Sequence, residues 1–233
     1  MIKYDPHTWL DHFFDWRGSL VREIIGRVLL VTLWSVAIAL FHQHVSPVAI
    51  PATVHTLIGV AFGLLLVFRT NSSYDRFWEG RKLWGGIVNE TRNLIRSSEA
   101  YLVKHPEARK SIALWMLGFV YASMHILREK KDIGPVASKL KSSEVDAALA
   151  SPHPALYCAK QISLSLQTAK EAGHITAFEQ ITIDNNVQLL IDYLGGCERI
   201  HKTPLPFAYV VHLRRALVIY CLTLPFVDRK SVV

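Results

Sequence analysis

Fourteen consecutive residues without a charge, Val28 to Phe41, constrain this chain more than anything else in it. The apolar stretch around them begins at Ile24, and Arg27 lies just inside it, where a long side chain can reach an interface. The pattern predicts a membrane-spanning helix. A second apolar stretch behaves differently. Leu57 to Trp84 reads LIGVAFGLLLVFRTNSSYDRFWEGRKLW, turning from apolar to charged with no proline or glycine pair to stop a helix. A buried soluble helix carries a polar stripe along its length, whereas this one changes from end to end. The expectation is a helix from about Pro51 to Phe68 in lipid that continues past the membrane surface.

Composition agrees with a chain partly in lipid. Of the 233 residues, 51% are hydrophobic and 19% charged, and the mean hydropathy is +0.23, more apolar than an ordinary soluble domain. The formal net charge of +7 suits an anion, a membrane surface or nucleic acid. The positive residues form no long block of the kind that nucleic-acid-binding arms carry, so no nucleic-acid partner is expected. Cys158, Cys197 and Cys221 share no CxxC spacing, and an odd, scattered set reads as reduced thiols rather than a disulfide framework. Asp5, Asp11 and Asp15 interrupt the N-terminus, which lacks the order of a signal peptide, so insertion is expected to use the internal segments.

Charge also orients the spans. The segment HQHVSPVAIPATVH, residues 42–55, has no Lys or Arg, whereas residues 69–110 carry nine. By the positive-inside rule the loop is outside and the chain after Phe68 is cytosolic. The seventeen-residue run 111–127, SIALWMLGFVYASMHIL, is flanked by Lys110 and by REKK at 128–131. It reads as a helix buried in a cytosolic bundle in preference to a third span, because it is at the short limit for crossing. Residues 128–202 read as further helices, with VQLLIDYLGG ending at a glycine pair suited to a C-terminal cap. The second half of 203–227 is expected to return to the membrane. The domain reading is therefore 1–27 as an N-terminal cytosolic or interfacial segment, 28–70 as a transmembrane hairpin, 71–202 as a cytosolic helical domain and 203–233 as a returning membrane helix.

Within the second span, Val60, Leu64 and Phe68 fall at i, i+4 and i+8, and Gly59 and Gly63 form a GxxxG pair on an adjoining side. Copies packed about an axis would turn the three apolar side chains into successive rings, a hydrophobic constriction that gates by dewetting. The plainer alternative is ordinary lipid-facing or core packing. Arg69, Arg76, Arg81 and Lys82 either raise local anion concentration in a vestibule or pair with Asp75, Glu79 and Glu90 at helical spacing. Trp78 and Trp84 suit interfacial anchors or core packing. Cys197 and His201 are four apart, but two ligands make no metal site. Asp184, Asp192 and Glu198 come with no nucleophile elbow or Gly-rich phosphate loop, which disfavours an enzyme.

Two long blocks carry a family resemblance: FRTNSSYDRFWEGRKLWGGIVNETRNLIR at 68–96 and GGCERIHKTPLPFAY at 195–209, with WRGS at 16–19. Together they resemble the bacterial branch of the bestrophin ion channels. The resemblance implies an all-α membrane protein assembled as a cyclic pentamer around a central pore. Its second membrane helix would line a narrow neck, and its cytosolic helices a vestibule ending in a second constriction. The neck rings match Val60, Leu64 and Phe68, where the family prefers isoleucine and phenylalanine; the lower constriction matches Ile181 or, three residues away, Phe178. Arg69, Arg76 and Arg81 are the candidate vestibule charges. The acidic calcium cluster of animal bestrophins has no counterpart in LPFVDRKSVV, and the family's fourth span would lie beyond it. The expectation is a passive, multi-pass inner-membrane channel for monovalent anions of the chloride type, without cofactor or metal. A cation channel of the same architecture and a non-conducting scaffold are the alternatives.

Overall fold

The computed structural model describes residues 21–44, 50–204 and 206–227. The WRGS motif, Asp5, Asp11, Asp15, the middle of the 42–55 loop and the tail from residue 228 lie outside the described residues. Those described are almost wholly helical, and the β contact among them is an isolated parallel bridge between Ile50 and Val227. Seven α-helices follow in order: α1 Val21–His44, α2 Ala52–Tyr101, α3 Pro106–Ile126, α4 Ser142–Ala150, α5 Pro154–Glu171, α6 Ala177–Lys202 and α7 Phe207–Thr223. The chain divides into two compact units. The first comprises residues 1–70 and 205–233, the second residues 71–204.

In the first unit, α1 and the beginning of α2 are long and apolar enough to cross a membrane, with peak hydropathies of 2.2 and 1.8. Three of their hydroxyls turn back on their own backbone. Thr32, Ser35 and Thr56 each donate to the carbonyl four residues earlier at 2.9 Å, which leaves no unsatisfied hydroxyl on an apolar surface. Helix α7 is tied to α1 where Trp34 Nε1 donates to Leu222 O at 3.0 Å. It is tied to α2 by Tyr220, whose ring stacks on His55 at 4.1 Å and meets Phe62 edge-on at 5.4 Å. A Cβ at Gly59 would stand 2.7 Å from the Tyr220 hydroxyl, so glycine admits the ring without displacing it.

Helix α2 runs unbroken for 50 residues and carries the chain from the first unit into the second. The second unit has a dry core. Ile112, Trp115, Phe119 and Ala122 of α3 face Cys158, Ile162 and Leu166 of α5, and Ile183, Leu190 and Leu194 of α6 complete the interior. These positions recur at three- and four-residue spacing, the signature of a helix burying one face. Gly118 lets α3 approach Cys158, whose sulfur would stand 3.2 Å from an added Cβ. The run 111–127 therefore belongs to a helix in the interior of this bundle. Trp84 packs against the same core rather than at an exposed anchor position.

One expectation fails. Gly195 and Gly196 do not end a helix, because α6 continues through them to Lys202. The reason is packing. A Cβ at Gly196 would stand 2.8 Å from Leu83, and one at Gly86 would stand 2.7 Å from Tyr193. Each helix thus offers a notch that receives a large side chain of the other, and the glycine is needed for proximity, not for a turn. At the other end of α6, Thr176 forms a capping box with Glu179. The Thr176 N–H donates to Glu179 Oε2 at 2.7 Å, and Thr176 Oγ1 accepts from Glu179 N at 3.3 Å. Two bonds that Thr176 donates to Glu179 Oε2, first from its backbone N–H and then from its hydroxyl at 2.8 Å, hold the Glu179 carboxyl below its usual range.

Candidate pore-lining face

Residues 52–70 of α2 have two sides. Ala52, His55, Gly59, Phe62, Leu65 and Arg69 are buried or half-buried, and the other residues of this stretch are exposed. At about 100° per residue, the covered positions form one continuous stripe. That stripe is the side that meets Tyr220. Val60, Leu64 and Phe68 lie about 180° round the helix from it, and they are 61%, 57% and 61% exposed. Three large apolar side chains therefore project in a row, away from the face that α7 covers. The two members of the GxxxG pair separate in role: Gly59 admits Tyr220, whereas Gly63 has nothing within 4 Å of an added Cβ.

The sequence profile described as Bacterial/Fungal Bestrophin protein matches residues 1–230. The chain is a bestrophin of the bacterial and fungal branch. It is 37% identical over 222 residues to a protein of Nostoc sp. (strain PCC 7120) named a voltage-dependent anion channel-forming protein, with 94% of this chain and 72% of the relative aligned. The similarly named YneE of Escherichia coli (strain K12) is 31% identical, across 97% of this chain and 75% of its own length. Among solved structures, a bacterial bestrophin homologue from Klebsiella pneumoniae superposes with a TM-score of 0.80 at 30% identity, covering 87% of this chain and 76% of that one. The Nostoc and Escherichia coli relatives are named for channel formation, not for catalysis. The family suggested by the blocks at 68–96 and 195–209 is the family found.

The other expected site residues of this bestrophin occupy distinct environments. Ile181 and Phe178 project from the first two turns of α6 at 59% and 84% exposure, while Ile183 and Val187 of the same helix point into the core. Arg69 sits half-buried on the covered side of α2. Arg81 is exposed. Arg76 is half-buried and donates to Ile200 O at 2.7 Å and Thr203 O at 2.5 Å. Those carbonyls belong to the last turn of α6 and the residue after it, which have no partners further along the helix, so the guanidinium serves as a helix cap.

The alternative expectation, ion pairing along α2 itself, does not describe Glu79 or Glu90. Glu79 reaches Arg199 of α6 at 2.8 Å, and Glu90 accepts from Asn93 at 3.3 Å. Lys82 lies 5.8 Å from the Trp78 ring, a weak cation–π contact at an exposed site.

Cys197 and His201 do not converge. Cys197 is buried among the core residues, its thiol raised by burial and by Glu198. His201 lies instead beside Glu129 at 3.9 Å. Burial pushes the Cys158 thiol up to about 12, which makes it a poor nucleophile at neutral pH. Asp184 accepts from Ser163 at 2.6 Å, and Glu198 meets His153 at 2.6 Å and Lys202 at 3.4 Å, so both carboxylates tie helices together. Sequence reasoning missed two positioning contacts, Tyr220 on His55 and Arg76 on the end of α6. Their partners are 165 and more than 120 residues apart, and no local pattern marks them.

Proposed function

We propose that this chain is the subunit of a passive channel formed by a ring of five copies about a central pore. The stripe Val60, Leu64 and Phe68 would form three apolar rings at the neck, and Ile181 or Phe178 the lower constriction. The observation that carries the reading is the opposition of faces on α2. Ala52, His55, Gly59 and Phe62 are covered from within the chain, and the row Val60, Leu64 and Phe68 is left for neighbouring copies and the conduction path. Apolar rings resist hydration, so an ion crossing them loses solvent and the neck can close by drying.

On this reading residues 28–70 and 203–233 lie in the bacterial inner membrane and residues 71–202 form the cytosolic vestibule. The positive-inside distribution of Lys and Arg supports that orientation. Monovalent anions are the proposed cargo, supported by the net charge of +7 and by the anion-channel names of the relatives in Nostoc and Escherichia coli. Among the basic residues, Arg81 is exposed at the surface, Arg69 lies on the covered face, and Arg76 caps α6.

The test is current across a planar bilayer containing purified protein under a potassium chloride gradient. A reversal potential near the chloride equilibrium value is expected. One near the potassium value would replace the anion reading with a cation channel of the same architecture, and no current would leave a scaffold. Leu64→Ala and Phe68→Ala are expected to widen and wet the neck and to raise conductance several-fold. If both conduct like the parent, the row faces lipid or another protein surface.

A further inference from the structure

Two hollows in the second unit adjoin between α2 and α3. One, of about 410 Å³, is lined by Arg92, Arg96 and Met116; the other, of about 180 Å³, by Arg109, Lys110 and Ala113, and the two share Ile95 and Glu99. Four cations and one carboxylate thus line a continuous groove. Among the described residues none of the four cations lies within 4.0 Å of a carboxylate, and Glu99 forms no ion pair either. Arg96 makes a long contact with its neighbour Ser97 at 3.4 Å. The Nε of Arg109 is shut off from solvent with no hydrogen-bond partner. Buried donors are ordinarily paired, and four like charges gathered with a single carboxylate among them repel one another, so the groove has the chemistry of an anion site.

We propose that this groove binds a phosphate-bearing polyanion. Three of the four cations are arginines, whose planar fork matches phosphate oxygens two at a time, and four positive groups spread over adjoining hollows suit several phosphate groups better than one small ion. The apolar floor of Ile95, Ala113 and Met116 leaves room for a less polar part of the ligand. Arg92 lies 21 residues along the chain from Asn71, where the second unit begins, and well past the apolar run that ends at Phe68, which favours a soluble anion over a lipid headgroup. The proposal stands apart from ion conduction, since the four cations are not among the residues assigned to the pore.

Isothermal titration of the purified protein with sodium triphosphate tests it. Saturable binding is expected, weakening as salt rises, and the exposed pair R92Q/R96Q should lower affinity at least about tenfold. K110E should also weaken it, while R81Q should not. Because Arg92, Arg96 and Lys110 are exposed, these variants keep the core intact, and circular dichroism confirms that they fold. Absence of binding, or binding unchanged in R92Q/R96Q and K110E, overturns the proposal, as would a groove roofed by a neighbouring copy. Repeating the titration in nanodiscs with and without anionic lipid separates the sources. Indifference to the lipid supports a soluble ligand, and competition by it overturns the soluble assignment in favour of a headgroup.

Discussion

The two units treat apolar side chains in opposite ways. In the second, Phe119, Ile162, Leu166 and Ile183 are wholly buried by the chain itself. In the first, Leu33, Leu30 and Leu57 stand 62–70% exposed on helices of high hydropathy. A soluble protein does not tolerate so many contiguous exposed apolar residues. One unit therefore completes its own interior, and the other depends on a surrounding apolar medium or further copies. Removing the same methyl groups should have different consequences in the two places.

The largest contrast is expected from Phe119→Ala against Leu33→Ala. A buried phenylalanine truncated to alanine costs about 3–5 kcal/mol, so the second unit should melt at visibly lower denaturant concentration by tryptophan fluorescence. Leu33→Ala should leave that transition within about 0.5 kcal/mol of the parent. Equal losses would end the distinction.

Arg76→Gln should come next. Removing a charged donor from two carbonyls at a helix end costs about 1.5–3 kcal/mol, and amide exchange should rise in the last turn of α6. A comparable effect is expected at the glycine notches. Gly86→Ala and Gly196→Ala force a Cβ against Tyr193 and Leu83 and should cost about 1–3 kcal/mol. Gly195→Ala meets nothing within 4 Å and should stabilise the helix, by at most about 1 kcal/mol. A destabilising Gly195→Ala would restore the terminating role first expected of the pair. Thr176→Ala removes the helix cap and should cost about 1 kcal/mol.

The smallest effect concerns pH. His105 and His174 stack at 3.5 Å, and His105 is held below its usual value of 6.5 by desolvation, then by His174 and Lys104. A histidine with a lowered folded pKa disfavours its own protonation in the folded state. Its contribution is present above the unfolded pKa and lost as pH falls through the folded one. Stability should therefore decline slightly as pH drops below about 6.5, with a shallower decline in His105→Gln. An unchanged slope would remove the pair from the account.

Much of this was legible beforehand, for a physical reason. The uncharged run 28–41 and the end-to-end change in character after Phe68 appear as α1 and the 50-residue α2, because lipid length and helix periodicity are local properties. The row Val60, Leu64 and Phe68 was visible as spacing, yet spacing is silent about which face is free. The glycine pair at 195–196 was misread since a glycine that ends a helix and one that admits a neighbour look alike in one dimension.

The sequence by itself determined the apolar spans, the helical periodicity of the core and the family, all of which follow from residue type and order. Tertiary structure alone decided that Tyr220 covers one side of α2 and so frees the opposite row. It also directed Arg76 to carbonyls more than 120 residues away. Such pairings depend on where distant helices cross. That is set by the fit of whole surfaces, and no short stretch of residues encodes it.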